Sequence, residues 1–385
     1  MFDKSQDLFP IKKEYAFLTH CSISPLYSRG FQKELEMAEE HQNRGALFFD
    51  SYDQILDNLR AAAAKLFRTS EKNLAFVKNT AEGICMLANG YPFEPGDQVL
   101  SYVHEYPSDH YPWRVQEQRG VELALLPNRD TTGGLCGGRA CAWAMEDLEE
   151  LVTDRTKIVA LSHVQFTSGF AADLKELGEF CKARDIDLVV DAAQSLGCLP
   201  VYPEEWNIAA VASSGWKWLL GPVGTGLFYT SPTLREKLEH VMVGSELMTQ
   251  GTDYLNHTWH PHDTAKRFEY STSPISLCAS LEVCINELPL RYGVENIRAE
   301  ALRLQNILLN GIDRTRYLPV EFPDANRSGI LSLVCKANPR AIARALKAQR
   351  IVTSSRGDFL RLAPHFYNTE EEIQRTIETM NQFDI

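Results

Sequence analysis

Short apolar runs alternate with helix-patterned segments through the middle of the chain, and this alternation sets the first expectation for the fold. The runs predict strands at 74–78, 98–103, 121–126, 158–163, 186–191, 209–213 and 225–229. The other segments predict helices at 30–44, 51–68, 81–89, near 110–119, 145–152 and 171–184. This order predicts an α/β fold with a mainly parallel sheet between helices, in which ligands bind beyond the carboxyl ends of strands.

A different pattern follows residue 229. Helices are predicted at 231–240, 275–292 and 294–312, with an irregular polar stretch at 244–270. Strands at 329–335, 351–354 and 359–362 then alternate with helices at 338–349 and 369–382. The pattern predicts a large domain over 20–290 and a small α+β domain over 291–385, joined by an N-terminal arm, 1–19. The connection at 128–142, with GGLCGG inside, is predicted to be a flexible link or a short hairpin.

Composition narrows the classes of function. The 385 residues carry 39 Lys and Arg against 51 Asp and Glu, a formal net charge of −12. That balance, without a basic block, argues against binding to nucleic acid or to an anionic membrane surface. Nine cysteines without a C-x-x-C pair favour a reducing compartment, and no apolar run has the length of a membrane span or a signal-peptide core. We therefore expect a soluble cytoplasmic protein.

The stretch SSGWKWLLGPVGTG, at 213–226, carries the most unusual single residue of the chain. Lys217 stands between two tryptophans, after a short apolar run and before a glycine-rich turn. Indoles on both sides predict a partly dry pocket, in which a lysine amine loses its proton easily and becomes a nucleophile toward carbonyl groups. The alternative is a surface lysine in a loop, and this stretch alone does not decide between the two.

Polar and aromatic side chains that follow other predicted strands favour a site. Asp191 ends an apolar run in VVDAAQSLG, where a carboxylate can keep a ring nitrogen protonated or simply cap the next turn. Gln194, three residues on, is placed to donate to a phenolic oxygen of the same ring. Tyr106, in HEYPSDHYPW, follows the strand at 98–103 and is either a flat cover for a planar ring or a core aromatic.

The start of the helix at 81–89 supplies a candidate anion site. Asn79 and Thr80 lie between a strand and this helix, where backbone N–H groups and the helix dipole favour an anion such as phosphate. An ordinary helix cap is the alternative use of both residues. Ser214 lies close enough in sequence to Lys217 to reach the same phosphate or to serve in a turn. Phosphate site, ring cover, ring-nitrogen partner and amine are together the parts that pyridoxal phosphate requires.

With these motifs the chain resembles the class V aminotransferase family of fold-type I pyridoxal phosphate enzymes, which includes cysteine desulfurases, kynureninases and isopenicillin N epimerase-like proteins. The resemblance runs from FLTHCSISPL near the N-terminus to LRLAPHFYNTEEEI near the C-terminus. It rests on NTAEGI (79–84), EYPSDHYPW (105–113), SHVQFTSG (162–169), VVDAAQSLG (189–197), SGWKWLLGPVGTG (214–226) and RFEYST (267–272). It implies a large domain with a mostly parallel, seven-stranded type of sheet and a small α+β C-terminal domain.

The resemblance assigns roles to residues at matching positions. Lys217 is implied to bind the cofactor covalently, Asp191 to pair with its pyridine nitrogen, and Arg361 to bind the α-carboxylate of an amino-acid substrate. Thr272 matches a residue that reaches the phosphate in the neighbouring subunit, which implies a homodimer with shared sites. The other candidates are Asn79, Thr80, Ala81, Tyr106, Gln194, Ser214 and Trp216 for the cofactor, and Arg356 and Gln165 for the substrate. Arg356 either assists a second substrate carboxylate or pairs with an acid on the surface.

Departures from the family pattern bear on the reaction. Cysteine desulfurases carry a nucleophilic cysteine shortly before the substrate arginine, whereas this chain has no cysteine from 336 to its last residue. Tyr106 replaces the histidine that desulfurases stack on the ring, and Trp216 replaces a histidine that helps to bind phosphate. The departures favour a transaminase, an epimerase or a lyase, with a desulfurase or selenocysteine lyase-like activity as the alternative.

Two classes of function outside this family remain as alternatives. One is a catalytically silent protein that keeps the fold as a binding module, although every main cofactor position carries a competent residue. The other is a nicotinamide dehydrogenase, which the α/β alternation suits but which lacks a G-x-G-x-x-G after the first strand of the sheet. A yellow protein that borohydride bleaches would separate a pyridoxal phosphate enzyme from both.

The polar segment at 250–265 contains His257, His260 and His262. Their spacing matches no compact zinc motif and no cysteine accompanies them, so no metal site is expected. The segment is instead predicted to line the mouth of a neighbouring subunit's site and to take part in specificity.

Overall fold

The computed structural model describes residues 1–134 and 139–383. Its helices are α1 (Ser28–Arg44), α2 (Tyr52–Phe67), α3 (Thr80–Gly90), α4 (Tyr111–Arg114), α5 (Met145–Leu151), α6 (Leu174–Lys182), α7 (Pro232–Lys237), α8 (Ile275–Ile285), α9 (Val294–Gly311), α10 (Pro339–Ala348) and α11 (Glu370–Gln382). Its strands are β1 (Ala16–Phe17), β2 (Leu74–Val77), β3 (Gln98–Tyr102), β4 (Glu122–Leu126), β5 (Thr156–Ser162), β6 (Asp187–Asp191), β7 (Ala210–Ser214), β8 (Gly226–Thr230), β9 (Tyr317–Pro319), β10 (Leu331–Cys335), β11 (Ile351–Val352), β12 (Ser354–Arg356) and β13 (Phe359–Leu362).

A seven-stranded sheet with the order β2-β8-β7-β6-β5-β3-β4 forms the centre of the fold. Strand β8 runs antiparallel to β2 and β7, and the other neighbouring strands are parallel to each other. Strands β2, β6, β7 and β8 are buried along their whole length, as expected of strands covered by helices on both faces. The predicted α/β architecture with a mostly parallel sheet is confirmed.

The second part of the fold is a four-stranded antiparallel sheet with the order β12-β13-β10-β9, next to a two-stranded pair of β1 and β11. The pair joins the N-terminal arm to the C-terminal segment, because Ala16 lies opposite Ile351 in parallel register. A separate apolar core, which includes Leu304, Leu333 and Leu360, packs helices α9, α10 and α11 onto these strands. The arm therefore approaches the central sheet together with the C-terminal segment.

Four elements differ from the sequence expectation. The strand expected at 351–354 is divided between β11 (Ile351–Val352) and β12 (Ser354–Arg356), which belong to different sheets. The helix expected near 110–119 is the single turn α4 followed by a tighter 3-10 turn at Val115–Arg119, which ends at Gly120 with a φ of 79°. The helix expected at 275–292 widens into a π turn at Asn286–Leu290, because Pro289 has no N–H to donate to the preceding turn. Strand β9 was not anticipated, since its three residues are too few to show a period.

The two irregular stretches have partial order. The stretch expected at 244–270 contains 3-10 turns at Ser245–Leu247 and Ala265–Phe268. In the connection at 128–142, Arg129 and Ala142 form an antiparallel bridge, as a hairpin requires. Residues 135–138, which include most of the GGLCGG motif, lie outside the described residues. Within the described residues no helix has both the length and the apolar character needed to cross a bilayer.

Candidate active site

A cavity of about 510 Å³ lies at the carboxyl ends of the central strands. Eleven of the thirteen residues predicted for the site line it: Asn79, Thr80, Ala81, Tyr106, Asp191, Gln194, Ser214, Trp216, Lys217, Arg356 and Arg361. Its volume is in the range of cavities that hold small ligands. Parallel strands bring the residues that follow them to one edge of the sheet, which explains why distant motifs meet here.

Lys217 lies three residues beyond the end of β7, and a close turn of the backbone brings it to the cavity. Gly215 makes this turn possible, because a Cβ at that position would lie 2.5 Å from Oγ1 of Thr225. The Lys217 Nζ lies 5.6 Å from the centroid of the Tyr106 ring, and it has no hydrogen-bond or ion-pair partner within the described residues. Burial lowers the pKa of the Lys217 amine from its ordinary value, against the opposing effect of the Asp191 carboxylate. The amine is therefore available as a nucleophile and as a base.

Asp191 ends β6 and contributes a buried carboxylate. Its Oδ1 accepts a hydrogen bond from the backbone N–H of Ala193 at 2.8 Å, whereas Oδ2 has no partner within the described residues. Burial raises the pKa of Asp191, and the nearby Lys217 opposes this shift. A buried carboxylate that faces a cavity with one oxygen unsatisfied suits a protonated ring nitrogen.

Gln194 is held in place from two directions. Its Nε2 donates to the backbone carbonyl of Cys21 at 2.9 Å, and its Oε1 accepts from Nε1 of Trp218 at 3.2 Å. An amide nitrogen has two hydrogens, so one N–H of Gln194 remains for a ligand in the cavity. These contacts fix the orientation of the Gln194 amide before a ligand binds.

The N-terminus of α3 lies at the cavity and carries the groups that an anion site requires. Asn79 is the helix cap, because its Oδ1 accepts from the backbone N–H of Glu82 at 2.9 Å. The hydroxyl oxygens of Thr80 and Ser214 lie 2.9 Å apart, beside the first turn. Ala81 also lines the cavity at this end. Two hydroxyls and the positive end of an eleven-residue helix together suit a phosphate group.

Arg361, on β13, is a buried cation without a buried anion. Its side chain is only 1% exposed, and it donates to the carbonyl of Phe166, to Oγ of Ser354 at 3.1 Å and to Oγ of Ser22 at 3.4 Å. None of these partners is charged, no carboxylate of the described residues pairs with Arg361, and its Nε has no partner. Burial lowers the pKa of the guanidinium. A buried charge without a counter-ion is costly, so this arrangement suits an anionic ligand.

Arg356 and Trp216 complete the wall of the cavity. Arg356, on β12, is exposed, and its Nη1 donates to the carbonyl of Ser355 at 3.0 Å. Its neighbour Asp358 lies 4.0 Å from Arg139, and no acid of the described residues pairs with Arg356. The backbone carbonyl of Trp216 accepts from the N–H of Ser24 at 3.0 Å, which ties the lysine loop to the N-terminal arm.

Two predicted residues lie elsewhere. Gln165 is completely buried, its Nε2 donates to Glu105 at 2.8 Å, and it is not among the residues that line the cavity around Lys217. Thr272 is exposed and lines a different cavity of about 180 Å³, together with Lys78 and Tyr270. Within one chain it contributes nothing to the site around Lys217.

Sequence reasoning missed the loop that follows β1. Cys21, Ser22 and Ile23 line the cavity, and Ser24 donates from its Oγ to the carbonyl of Lys217 at 2.5 Å. The loop arrives with the arm, far in sequence from the other site residues. The signal was its position directly after a short strand, in the motif HCSISPL.

Two further buried acids lie beside Asp191. Burial raises the pKa of Glu105 to about 7, although hydrogen bonds from Ser162 and Gln165 oppose the shift. Burial also raises the pKa of Asp109, and the charge of Glu105 adds to it. Both acids interact electrostatically with Asp191, so ionisation of one of the three carboxyl groups disfavours ionisation of the others.

The side chains of the cavity suit pyridoxal phosphate better than a metal ion. No three His, Cys, Asp or Glu side chains converge within residues 1–134 and 139–383, and His257, His260 and His262 do not form a cluster there. The cavity instead offers two hydroxyls at a helix N-terminus, together with an amine and a carboxylate oxygen that have no partner in the part of the chain that the structure describes. These groups fit the aldehyde, the ring nitrogen and the phosphate of pyridoxal phosphate.

Comparison with known proteins gives one consistent result. The family model for Aminotransferase class-V matches residues 34–375. A probable cysteine desulfurase of Methanothermobacter thermautotrophicus is 26% identical, with 99% of this chain and 98% of that protein covered. An uncharacterized aminotransferase of Schizosaccharomyces pombe is also 26% identical, over 86% of this chain and 82% of that protein.

Solved structures show the same fold. The apo structure of a cysteine desulfurase from Thermococcus onnurineus has a TM-score of 0.85 at 22% identity, and 99% of this chain and 98% of that chain are covered. A complex of the cystine C–S lyase C-DES with its reaction product cysteine persulfide has a TM-score of 0.86 at 22% identity, covering 97% of this chain and 99% of that one. At this identity the likeness concerns the fold.

Proposed function

Because the chain belongs to the aminotransferase class-V family and is a pyridoxal phosphate-dependent enzyme of amino acids, we propose that Lys217 and Arg361 divide its reaction between them. Arg361 binds the α-carboxylate of a free amino acid, and Lys217 moves the proton of its α-carbon. One observation carries this proposal. A guanidinium that is 1% exposed and has no acid partner within the described residues lines the same cavity as a lysine amine without a partner.

The cofactor is held by residues from the central sheet and the helix that follows β2. Pyridoxal phosphate supplies a protonated ring that withdraws electrons from the α-carbon of a bound amino acid. Asp191 holds the ring nitrogen, and Gln194 donates its remaining N–H to the ring's phenolic oxygen. The phosphate is held by Thr80 and Ser214. Asn79 caps the helix beneath it, and Ala81, Tyr106 and Trp216 form the surrounding wall.

Proton transfer at the α-carbon rests on Lys217. The lowered pKa of its amine increases the neutral fraction near neutral pH, and only the neutral amine accepts a proton. The place to which the proton returns then decides among transamination, epimerisation and elimination. Arg361 meanwhile keeps the carboxylate in one orientation, because its planar fork makes two parallel hydrogen bonds.

The substrate carries a second anionic group. Arg356 lines the cavity beside Arg361, and neither guanidinium has an acid partner within the described residues. These two guanidinium groups outnumber the single carboxylate of Asp191 that lines the cavity. The excess of positive charge favours amino acids with an acidic side chain over neutral ones.

A panel of amino acids tests the proposed function. Binding and turnover are measured for alanine, aspartate, glutamate, cysteine and cystine, and the keto acid, ammonia, alanine and sulfide formed are quantified. We expect at least one acidic amino acid to turn over, and Arg361→Ala to weaken substrate binding far more than cofactor binding. Alanine and sulfide from cysteine would instead support the desulfurase alternative. Equal loss of substrate and cofactor binding in Arg361→Ala would remove the assigned role of the arginine.

The enzyme is a homodimer in which Thr272 of one subunit completes the phosphate site of the other. Thr272 is exposed and distant from the site of its own chain, and the surface carries many large exposed apolar side chains, among them Phe31, Leu47, Phe49, Tyr111, Val223, Leu255 and Trp259. We expect light scattering to give twice the chain mass of 43.5 kDa. Mixing subunits of Lys217→Ala with subunits of Thr272→Ala should restore one complete site per mixed dimer, and a monomer would exclude this arrangement.

We also place the enzyme in the cytoplasm. Within the described residues Cys21, Cys85, Cys181, Cys198, Cys278, Cys284 and Cys335 carry no disulfide. Unpaired, buried cysteines are typical of a reducing compartment. Fractionation of cells that express the full chain checks this placement, and recovery in a membrane or extracellular fraction would contradict it.

A further inference from the structure

Cys21 is a thiol in the active cavity that the proposed reaction does not use. It lies in the loop after β1, is 3% exposed and lines the same cavity as Lys217 and Arg361. Among the described cysteines it is the one that lines this cavity; Cys85 and Cys335 are half-buried and lie elsewhere. A reagent therefore reaches Cys21 by entering the cavity of the amino-acid substrate.

The surroundings of this thiol point to an anionic ligand. Its Sγ lies 3.7 Å from Oγ of Ser354, and the same oxygen accepts from Nη2 of Arg361 at 3.1 Å. Arg361 is nine-tenths buried or more, and its Nε has no hydrogen-bond partner among residues 1–134 and 139–383. Cys21 also interacts electrostatically with both Arg361 and Lys217. A sulfur atom and an uncompensated guanidinium are thus neighbours in one chamber.

We propose that Cys21 is a thiol–disulfide exchange site selective for small disulfides that carry a carboxylate, which Arg361 binds. This rests on the role of Arg361 in the proposed function. The Cys21 thiolate attacks one sulfur of the disulfide, a new S–S bond forms to Cys21, and the old S–S bond breaks. The departing thiolate takes up the proton that Cys21 lost. The disulfide is itself the oxidant, so the exchange needs no other reagent.

The exchange has a consequence for the enzyme. The carboxylate of the attached half occupies the guanidinium that otherwise binds the substrate, so the modified enzyme cannot bind an amino acid there. A low-molecular-weight thiol reverses the exchange and restores the site. Cys21 therefore couples occupation of the substrate site to the supply of oxidised sulfur compounds.

Peptide-mapped mass spectrometry of the holoenzyme tests the proposal. The probes are 3,3′-dithiodipropionate, which has carboxylates but no α-amino group to react with the cofactor, and 2-hydroxyethyl disulfide, which is neutral. We expect the peptide with Cys21 to gain the dithiodipropionate half about tenfold faster than the hydroxyethyl half, as one charge-assisted hydrogen bond provides. Cys335 and Cys85, read in the same digest, should show no such preference.

Two variants sharpen the test. Cys21→Ser should remove the adduct from that peptide, and Arg361→Gln should abolish the preference for the carboxylate probe. If Arg361→Gln does not fold, the comparison of the two probes on the unchanged enzyme still tests the proposal. Equal rates for the two probes at Cys21, or a Cys21 rate no higher than that of Cys335, would overturn the proposal. Failure of the proposed function shows separately, as the absence of amino-acid binding to the unmodified enzyme.

Discussion

Two groups of residues meet in the cavity, and they reach it in different ways. Lys217, Asp191 and Thr80 follow strands of the central sheet, whose apolar runs fix their position. Arg361, Arg356 and the loop with Cys21 come from the second sheet and the N-terminal arm. In the proposed function the first group, the cofactor end, binds the cofactor, and the second group, the substrate end, binds the substrate. We infer that the reaction is set by the central sheet and the choice of substrate by the C-terminal segment and the arm.

The largest effect is expected at the cofactor end, for Lys217→Ala. Removing the base should lower kcat by about 10³-fold or more, the upper part of the range for general base catalysis. The fold should survive, because the Lys217 amine has no protein partner to lose within the described residues. Circular dichroism and turnover measured side by side check both parts. Turnover near the level of the unchanged enzyme would contradict the assignment of the reaction to the residues of the central sheet.

Asp191→Asn comes next. The neutral amide lacks the negative charge that keeps the ring nitrogen protonated, so we expect kcat to fall by about 10²-fold with little change in KM. Asp187→Asn is the matched control, since Asp187 opens the same strand and instead contacts Lys237 and Tyr91, each at 2.9 Å. Asp187→Asn should lower the free energy of unfolding and leave kcat unchanged. Similar kcat values for the two variants would contradict the role of Asp191.

Arg361→Lys tests the substrate end. An ammonium lacks the planar fork, so KM should rise by about 10- to 100-fold while kcat changes less. Arg60→Lys is the control, because Arg60 is equally charged and 8% exposed but binds Glu269 through two hydrogen bonds of 2.8 and 3.0 Å. It should lower the unfolding temperature and leave KM alone. A change confined to kcat in Arg361→Lys would assign this arginine to the cofactor end.

Arg356→Ala should have a smaller effect at the same end. Arg356 is exposed, so its contact with a second anionic group is screened by water and changes KM for an acidic amino acid by about three- to fivefold. Alanine, which has no second anionic group, serves as the comparison substrate. A loss that is equal for acidic and neutral amino acids would mean that Arg356 does not select the substrate.

The smallest expected effect concerns the acids beneath the cofactor end. The pKa of Glu105 is raised to about 7 in the folded chain, so the folded state binds a proton that the unfolded state has already released above its ordinary pKa. Stability of the cofactor-free protein should therefore fall as pH rises from about 4.5 to 7. Glu105→Gln should flatten this slope in part, because Asp109 and Asp191 shift in the same direction. Urea midpoints at several pH values check it, and an unchanged slope would contradict it.

The residues of the cofactor end could be predicted from sequence because each lies next to a readable strand. Asp191 ends β6, Ser214 ends β7 and Thr80 starts the helix after β2, and the edge of a parallel sheet brings such positions together. Gln165 also follows a strand, yet it points toward Glu105. Which way a side chain turns depends on a contact that is distant in sequence.

The substrate end was less accessible to sequence reasoning. Only the family resemblance pointed to Arg361, because the apolar pattern of β13 says nothing about what its one charged residue faces. Cys21 was missed, since its place in the cavity depends on the pairing of Ala16 with Ile351, more than three hundred residues away. The fold was easier to predict than the site. The errors in the predicted elements occur at a proline, at a single helical turn and at a very short strand, where the sequence has no hydrophobic period.

The central claim is that Lys217 carries the cofactor covalently, and reductive trapping tests it most directly. The holoenzyme is reduced with borohydride, digested and mapped by mass spectrometry. The account predicts a pyridoxyl group on the peptide that contains Lys217, and none on that peptide in Lys217→Ala. A label on another lysine, or no label on a protein saturated with pyridoxal phosphate, would contradict the claim.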